Sequence, residues 1–364
     1  MIVGVLGGGQ LARMLALAGH PLGVSIVALD PAADACVAPV ARHLCAGWED
    51  RAALDELARS CDVVTFEFEN VPSGAAEFLA ARVPVRPGVD ALRVSADRAA
   101  EKALFRRLGM GTAPFAAPSA AADLAAAARE VGFPAILKTR HSGYDGKGQT
   151  VVRNLDELAA AWGLLAGAPA ILEGFVAFER ELSVIAARRA NGEIAFWPVS
   201  ENTHRAGILR VAISRPGDPR QAAAEQQARA LLESLDYVGV LALELFDVGG
   251  ELLANEFAPR VHNSGHWTPH GAETSQFENH LRAVLDLPLG ATSAIGHVAM
   301  VNFIGGIPAR EKLLAIPNLH LELYGKAPKR GRKIGHATVR AADPAACARL
   351  TAELAALAAA AADG

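Results

Sequence analysis

Short apolar runs separated by amphipathic stretches organise residues 1–95. Ile2–Leu6, Val24–Leu29 and Asp62–Phe66 have the length and apolar character of strands, whereas Gln10–Ala18 and Leu54–Ser60 carry helical spacing. Strand and helix in alternation predict an α/β unit. A boundary is expected after Pro84-Val-Arg-Pro-Gly88, where two prolines and a glycine break the pattern. Beyond it, Asp97–Leu108 reads as a charged amphipathic helix and Ala113–Pro118 as a proline-containing connector. A compact second unit follows: helix Ala121–Val131, strand Pro134–Lys138, a glycine-rich loop, strand Thr150–Val152 and helix Leu155–Leu165. Strands dominate from Ala170 to Val211, with a hairpin turn at Asn191-Gly192. Helix Ala222–Leu235 precedes another pair of strand-like runs. The chain ends in a further small α/β piece, whose alanine-rich tail after Ala341 reads as a helix. At 364 residues the chain exceeds what one core usually covers, so two or three domains are expected.

The pair of runs, Leu241-Ala-Leu-Glu-Leu-Phe246 and Leu252-Leu-Ala-Asn-Glu-Phe257, is joined through Gly249-Gly250. Alternation puts Ala242, Glu244 and Phe246 on one face of the first run, and Leu252, Ala254 and Glu256 on one face of the second. A three-residue turn sets Glu244 opposite Glu256. Like charges facing each other in a sheet are destabilising, so that register calls for a cation. Hard oxygen ligands on a rigid hairpin suit Mg²⁺ carrying substrate phosphates. A two-residue turn instead places Asn255 across from Glu244 and points Glu256 away, which leaves a surface hairpin with solvated acids.

Two glycine-rich segments point to phosphate. Gly7-Gly-Gly-Gln-Leu-Ala12 follows a strand and opens a helix, and Asp30 ends the next strand, where a ribose-binding acid of a dinucleotide site belongs. Gln10 and Arg13 are polar at that turn, however, and no later segment looks like a hydride-transfer site. A Rossmann-like fold with a different phosphorylated ligand accounts for the same residues. In the segment from Lys138 to Gln149, Lys138 ends an apolar strand, and Gly143, Gly146 and Gly148 make a loop dense in backbone donors, suited to folding over nucleotide phosphates. Lys147 is followed by Gly148 rather than Ser or Thr, so the loop is not a Walker A sequence.

The stretch from Asn255 to His266 is unusually polar for a segment straight after a core strand. His262, His266 and His270 recur at the spacing of a helical metal face, yet Ser264-Gly265 and Pro269 interrupt such a helix. A polar substrate loop anchored by Arg260 is the better reading, since a guanidinium suits carboxylate, bicarbonate or phosphate oxygens. Lys326, Lys329, Arg330, Arg332 and Lys333 gather around Gly331, as a solvated basic face or a monophosphate pocket. A net charge of −4 argues against general attraction to nucleic acid or anionic membrane. Four scattered cysteines without a CxxC pair fit free thiols in a reducing cytosol. Met1 leads directly into a strand, so no signal peptide is expected, and no apolar stretch of spanning length lacks Gly, Pro or charge. The expected location is cytoplasmic.

Together these residues resemble the ATP-grasp superfamily and, within it, the N5-carboxyaminoimidazole ribonucleotide synthetase family of purine biosynthesis. The likeness runs over nearly the whole chain, from Gly7-Gly-Gly-Gln-Leu-Ala-Arg-Met14 to Gly331-Arg-Lys-Ile-Gly-His336. It is most specific in Gly143-Tyr-Asp-Gly-Lys-Gly-Gln149, Tyr237-Val-Gly-Val240 and Glu256-Phe-Ala-Pro-Arg-Val-His-Asn-Ser-Gly-His-Trp267. The resemblance implies an α/β ATP-grasp fold, α+β in the grasp region: a Rossmann-like domain over 1–95, an ATP-grasp region over 96–290 with a lid subdomain at 119–175, and a small C-terminal domain over 291–364. It implies an ATP- and Mg²⁺-dependent ligase, with Mn²⁺ as an alternative ion. ATP phosphorylates bicarbonate to carboxyphosphate, and the exocyclic amine of 5-aminoimidazole ribonucleotide is carboxylated, giving N5-carboxyaminoimidazole ribonucleotide, ADP and phosphate.

On the same pattern, ATP contacts fall on Arg98, Lys138, Gly143, Tyr144, Asp145, Gly146, Lys147, Gly148, Gln149, Glu173, Gly174, Phe175, Val176, Glu181, His204, Asn255 and Glu256. The metal falls on Glu244 and Glu256. The ribonucleotide lies between the N-terminal domain and the Arg260 loop, with Gln10, Leu11, Glu67, Arg260, His262, Asn263 and Ser264 as its site. Lys326 and Arg332 are candidates for its phosphate. Arg260 is the candidate holder of bicarbonate, and Tyr144, Asp145 or His262 the candidate to steer the amine. The glycine-rich loop is the natural lid over a water-sensitive intermediate. The family suggests a homodimer acting on small molecules, without nucleic-acid or membrane partners. Two rivals use the same residues: a sibling ATP-grasp ligase such as the formate-dependent glycinamide ribonucleotide transformylase, and an NAD(P)-binding oxidoreductase resting on Gly7–Ala12.

Overall fold

The computed structural model describes residues 1–141 and 148–362. Gly143, Tyr144, Asp145, Gly146 and Lys147, and with them most of the expected lid, lie outside the described residues.

Four parallel strands, β1 (Ile2–Leu6), β2 (Ser25–Asp30), β3 (Arg42–Cys45) and β4 (Val63–Phe66), form an N-terminal sheet in the order β3-β2-β1-β4. Helices Gln10–Gly19 and Arg51–Ser60 connect them. Strands of a parallel sheet are covered on both faces and read as continuous apolar runs, which makes β1, β2 and β4 legible in the sequence. The edge strand β3, Arg-His-Leu-Cys, has no fully buried residue and no such signature.

A second sheet is antiparallel, with β5 (Phe115–Ala116), β6 (Ala135–Thr139), β7 (Gln149–Val152) and β8 (Ala170–Gly174) in the order β5-β8-β6-β7. Helices Leu124–Val131 and Leu155–Leu164 pack on it through Leu124, Ala127, Leu158 and Ala161. The helix expected from Ala121 starts as a 3₁₀ turn, Ala121–Asp123, with the Asp123 carboxylate accepting from the amides of Ser119 and Ala120.

The remaining strands are β9 (Arg180–Arg188), β10 (Ile194–Phe196), β11 (Ser200–Arg205), β12 (Ile208–Ser214), β13 (Gly239–Val248), β14 (Glu251–Ala258), β15 (His297–Ile304), β16 (Leu319–Leu323) and β17 (Lys333–Ala341). They make one nine-stranded sheet, β14-β13-β9-β11-β12-β15-β17-β16, with β10 beside β9. The C-terminal strands therefore extend the central sheet through β12 and β15 (Val211 opposite Val301), while their helix-covered face keeps a core of its own around Phe303, Leu313 and Leu354. Helix Pro344–Ala362 is long and apolar enough to cross a membrane, yet it carries Arg349 and Glu353 and packs Cys347, Thr351, Leu354 and Ala358 onto β15 and β17.

Strands β9 and β13 are buried on both sides. One face joins the N-terminal helix in a core containing Leu11, Leu15, Trp197, Val240, Trp267 and Phe277. The other packs Leu182, Val184, Leu241 and Leu243 against helices Arg98–Arg107 and Gln221–Ser234. Burying each such side chain contributes roughly 1.5–3 kcal/mol. Helix Arg98–Arg107 is well specified locally: Asp97 caps it by accepting from the Ala99 amide at 3.0 Å, arginines occupy its last turn, and Gly109 (φ +76°) stops it. Its spacing sets Arg98, Glu101 and Lys102 on one face, toward β14.

Candidate functional site

The acidic hairpin forms, by a route the sequence does not announce. Val248 pairs with Glu251, so the turn is the two residues Gly249 and Gly250, both with positive φ (57° and 95°), the shorter of the two alternatives. That turn alone would set Glu244 against Asn255. Instead a β-bulge between Glu244 and Leu245 absorbs Asn255, and Glu244 pairs with Glu256. The bulge also reverses the expected faces. Leu252 and Ala254 turn to the core with Leu245 and Phe257, whereas Glu256 stands on the opposite face, opposite Glu244.

A basic side chain meets each carboxylate. Arg98 Nη1 lies 2.7 Å from Glu256 Oε2, and His262 Nε2 lies 3.1 Å from Glu244 Oε1. Burial alone would raise the Glu256 carboxyl, but Arg98 and then Lys138 outweigh it and hold it at about 2. A chain of hydrogen bonds orients His262: Asn202 Nδ2 donates to Ser183 Oγ (3.1 Å), and Ser183 Oγ to Ser264 Oγ (2.7 Å), which stands 2.9 Å from His262 Nδ1. The Ser264 amide also donates to Nδ1 at 3.3 Å. Nδ1 is thus the acceptor, which leaves the ring proton on Nε2, the nitrogen nearer Glu244. Among the described residues no three His, Cys, Asp or Glu side chains cluster as metal ligands. An ion here would rest on two facing carboxylates completed by phosphate oxygens, a donor set that fits Mg²⁺.

The expected nucleotide residues fall into linked groups. Lys138 Nζ donates to Glu173 Oε2 at 3.0 Å. Burial would raise the Glu173 carboxyl, yet Lys102 and Lys138 bring it below the ordinary value. Gly174 ends β8, and Phe175 and Val176 follow it, with Phe175 exposed. His204 Nδ1 contacts Glu181 Oε2 at 2.5 Å; burial opposes its protonation, but the bond to Glu181 prevails and the imidazole is raised. Gly148 and Gln149 lead into β7, with Gln149 paired to Lys138.

On the substrate side, Gln10, Leu11, Glu67, Arg260, His262, Asn263, Lys326 and Arg332 line one cleft of about 720 Å³ together with Arg98, His204, Glu244 and Glu256. Lys326 Nζ donates to Gln10 Oε1 at 2.5 Å, joining the two ends of the chain across it. Arg260 Nε is fixed by Glu69 Oε2 at 2.5 Å. Ser264 does not line the cleft; it is fully buried beneath the loop. His266 packs against His336 and Phe277, and His270 pairs with Glu322, so the histidine series disperses.

The glycine turn holds a protein carboxylate. Gly9 N and Ala12 N both donate to Glu67, and Gly8 N donates to Asp30 Oδ2 at 2.8 Å. A Cβ at Gly7 would meet Glu67 Cγ at 2.4 Å. The glycines thus admit Glu67 where a dinucleotide pyrophosphate would need the amides, and Asp30 caps local backbone rather than awaiting a ribose. Sequence reasoning missed Glu69, Glu101, Lys102, Ser183 and Gln276, the last of which clamps the His262 backbone at 2.8 Å and 2.7 Å. Only Glu69, in the acid-rich run after β4, had a visible signal.

Three family models match the chain in succession: a ribonucleotide synthetase preATP-grasp domain over 1–96, an ATP-grasp domain over 103–277, and a phosphoribosylaminoimidazole carboxylase C-terminal domain over 298–350. The N5-carboxyaminoimidazole ribonucleotide synthase of Pseudomonas aeruginosa is 53% identical, over 98% of this chain and 99% of that protein. The crystal structure of N5-carboxyaminoimidazole ribonucleotide synthetase from Thermus thermophilus superposes with a TM-score of 0.94 at 50% identity, covering 98% of each chain. The Aspergillus clavatus synthase in complex with ADP and 5-aminoimidazole ribonucleotide gives a TM-score of 0.90 at 32% identity, again covering 98% of each chain.

Proposed function

Since the chain belongs to the N5-carboxyaminoimidazole ribonucleotide synthase family, we propose that it carboxylates 5-aminoimidazole ribonucleotide with bicarbonate at the expense of ATP, using Mg²⁺ held by Glu244 and Glu256. It is an ATP-grasp ligase of purine biosynthesis. The observation that carries the mechanism is the facing acid pair in one cleft with Arg98 and Arg260.

In the first step a bicarbonate oxygen attacks the γ-phosphorus of ATP; the new P–O bond replaces the bond to ADP and carboxyphosphate results. In the second, the exocyclic nitrogen takes the carboxyl carbon, phosphate leaves with the C–O electrons, and the amine proton is lost. Mg²⁺ or Mn²⁺, when bound, neutralises phosphate charge. The chain's own groups position the reactants. Lys138, steadied by Glu173, reaches the phosphates, and Arg98 keeps Glu256 ionised. Arg260, immobilised by Glu69, offers a fixed guanidinium to bicarbonate and carboxyphosphate. His262, in a single tautomer, lies beside Glu244 and steers the amine. Lys326 and Arg332, which line the same cleft, take the ribonucleotide phosphate.

Product analysis tests this reading. ADP release that requires both 5-aminoimidazole ribonucleotide and bicarbonate is expected. Release driven by glycinamide ribonucleotide and formate would transfer the assignment to the sibling ligase. A thermal shift with NADH larger than with Mg-ATP would reopen the oxidoreductase reading, against the filled glycine turn.

A further inference from the structure

The bulge that turns Glu256 toward Glu244 needs an explanation of its own, because the two-residue turn favours a different register. β14 is the edge strand of the central sheet, and its bulged residue, Asn255, has no counterpart on β13. A bulge leaves backbone groups outside the ladder, and buried ones must find other partners. Here they find two neighbouring side chains of helix Arg98–Arg107. Lys102 Nζ donates to the Asn255 carbonyl at 2.6 Å and approaches that of Ala254 at 3.4 Å. Glu101 Oε1 accepts from the Phe257 amide at 2.7 Å. The two contacts bracket Glu256, one on each side. Both residues are 2% exposed, and charged groups are seldom buried so completely unless their partners are fixed, as they are here by the β14 backbone.

We propose that Glu101 and Lys102 are positioning residues that hold the β14 bulge open, aim Glu256 at Glu244, and thereby set the divalent-ion affinity of the site. This rests on the reading that the two glutamates hold the ion. Without the Lys102 donor and the Glu101 acceptor, the hairpin relaxes toward the regular register, in which Asn255 faces Glu244 and Glu256 turns to the other side of the sheet. A plain ion pair between Lys102 and Glu173 (3.5 Å) would account for burial alone and would leave ion binding untouched.

The test is Mn²⁺ binding to the full chain with ADP present, followed by the loss of free-Mn²⁺ EPR signal, beside the Mg²⁺ dependence of turnover. Lys102→Met is expected to weaken Mn²⁺ binding about tenfold or more, the usual scale for a support to a metal ligand, and to raise the Mg²⁺ requirement in step. Glu101→Leu should behave likewise, while Glu101→Gln, which keeps the acceptor oxygen, should recover most of the affinity. Wild-type Mn²⁺ affinity in both Lys102→Met and Glu101→Leu would overturn the proposal, whatever their melting temperatures. Should Lys102→Met fail to fold, the Glu101→Leu and Glu101→Gln pair decides: equal Mn²⁺ affinity in the two refutes it. Glu256→Gln separates the underlying reading, since unchanged Mn²⁺ binding there removes the metal site itself.

Discussion

Gly7–Gly9 and Gly249-Gly250 look alike as sequence, each a glycine turn after an apolar run, and they do different work. At the first, the open amides of a helix N-terminus are taken by Glu67, which arrives from the end of β4. At the second, the turn returns an edge strand so that two carboxylates face each other in the cleft, beside Arg98 and His262 at its wall. A helix N-terminus is an anion site only while its donors remain open. On the function proposed above, the acid pair serves as a cation site, because facing like charges gain from a further positive charge. Which glycine turn serves a ligand is therefore decided by what the rest of the fold puts there.

The sharpest way to break this contrast is Glu256→Gln. It should lower kcat at least about a hundredfold, the scale of losing one major charge-stabilising group, with an unchanged circular dichroism spectrum. Near-normal ADP formation would detach the acid pair from the chemistry. Next is Glu67→Ala, which leaves the Gly9 and Ala12 amides unpaired and should cost about 1–3 kcal/mol in urea unfolding. A wild-type midpoint would mean that the turn does not depend on its internal carboxylate.

Acid unfolding gives a smaller effect of defined sign. Glu256 is held at about 2 in the folded chain against an ordinary 4.5, so between those values the unfolded chain binds more protons. Its contribution is fully present above pH 4.5 and is lost as pH falls toward 2. Glu256→Gln should flatten the stability profile in that window; an identical acid limb would contradict the Arg98 pairing. Smallest is Arg332→Gln, expected to raise the ribonucleotide KM severalfold, up to about tenfold, with kcat little changed. An unaltered KM moves the phosphate to Lys326.

Much of this was readable beforehand, for identifiable reasons. The strands β1, β2, β4, β9 and β13 are sandwiched between layers, so their residues had to be continuously apolar. The acid pair and the glycine turn were visible as residue types, and the structure brings Glu244, Glu256, Arg98, Arg260, Lys326 and Gln10 into one cleft, as a functional site requires. The sequence leaves the turn at two or three residues and ties the glutamate pairing to three; the pairing occurs with two because of a bulge, and local alternation assumes there is none.

What the chain determined by itself is therefore the periodic part: which runs are strands, which are helices, where the glycines permit positive φ, and which residue types are at hand for phosphate and metal chemistry. These follow from local sterics and from burial patterns written into neighbouring residues. Tertiary structure alone decided that Glu67 fills the first turn, that Lys102 and Glu101 bracket Glu256 from more than 150 positions away, and that Lys326 meets Gln10 across 316. Hydrogen-bond partners and compensating charges are chosen by distance in space, and spacing along a chain carries no record of that distance until the layers have packed.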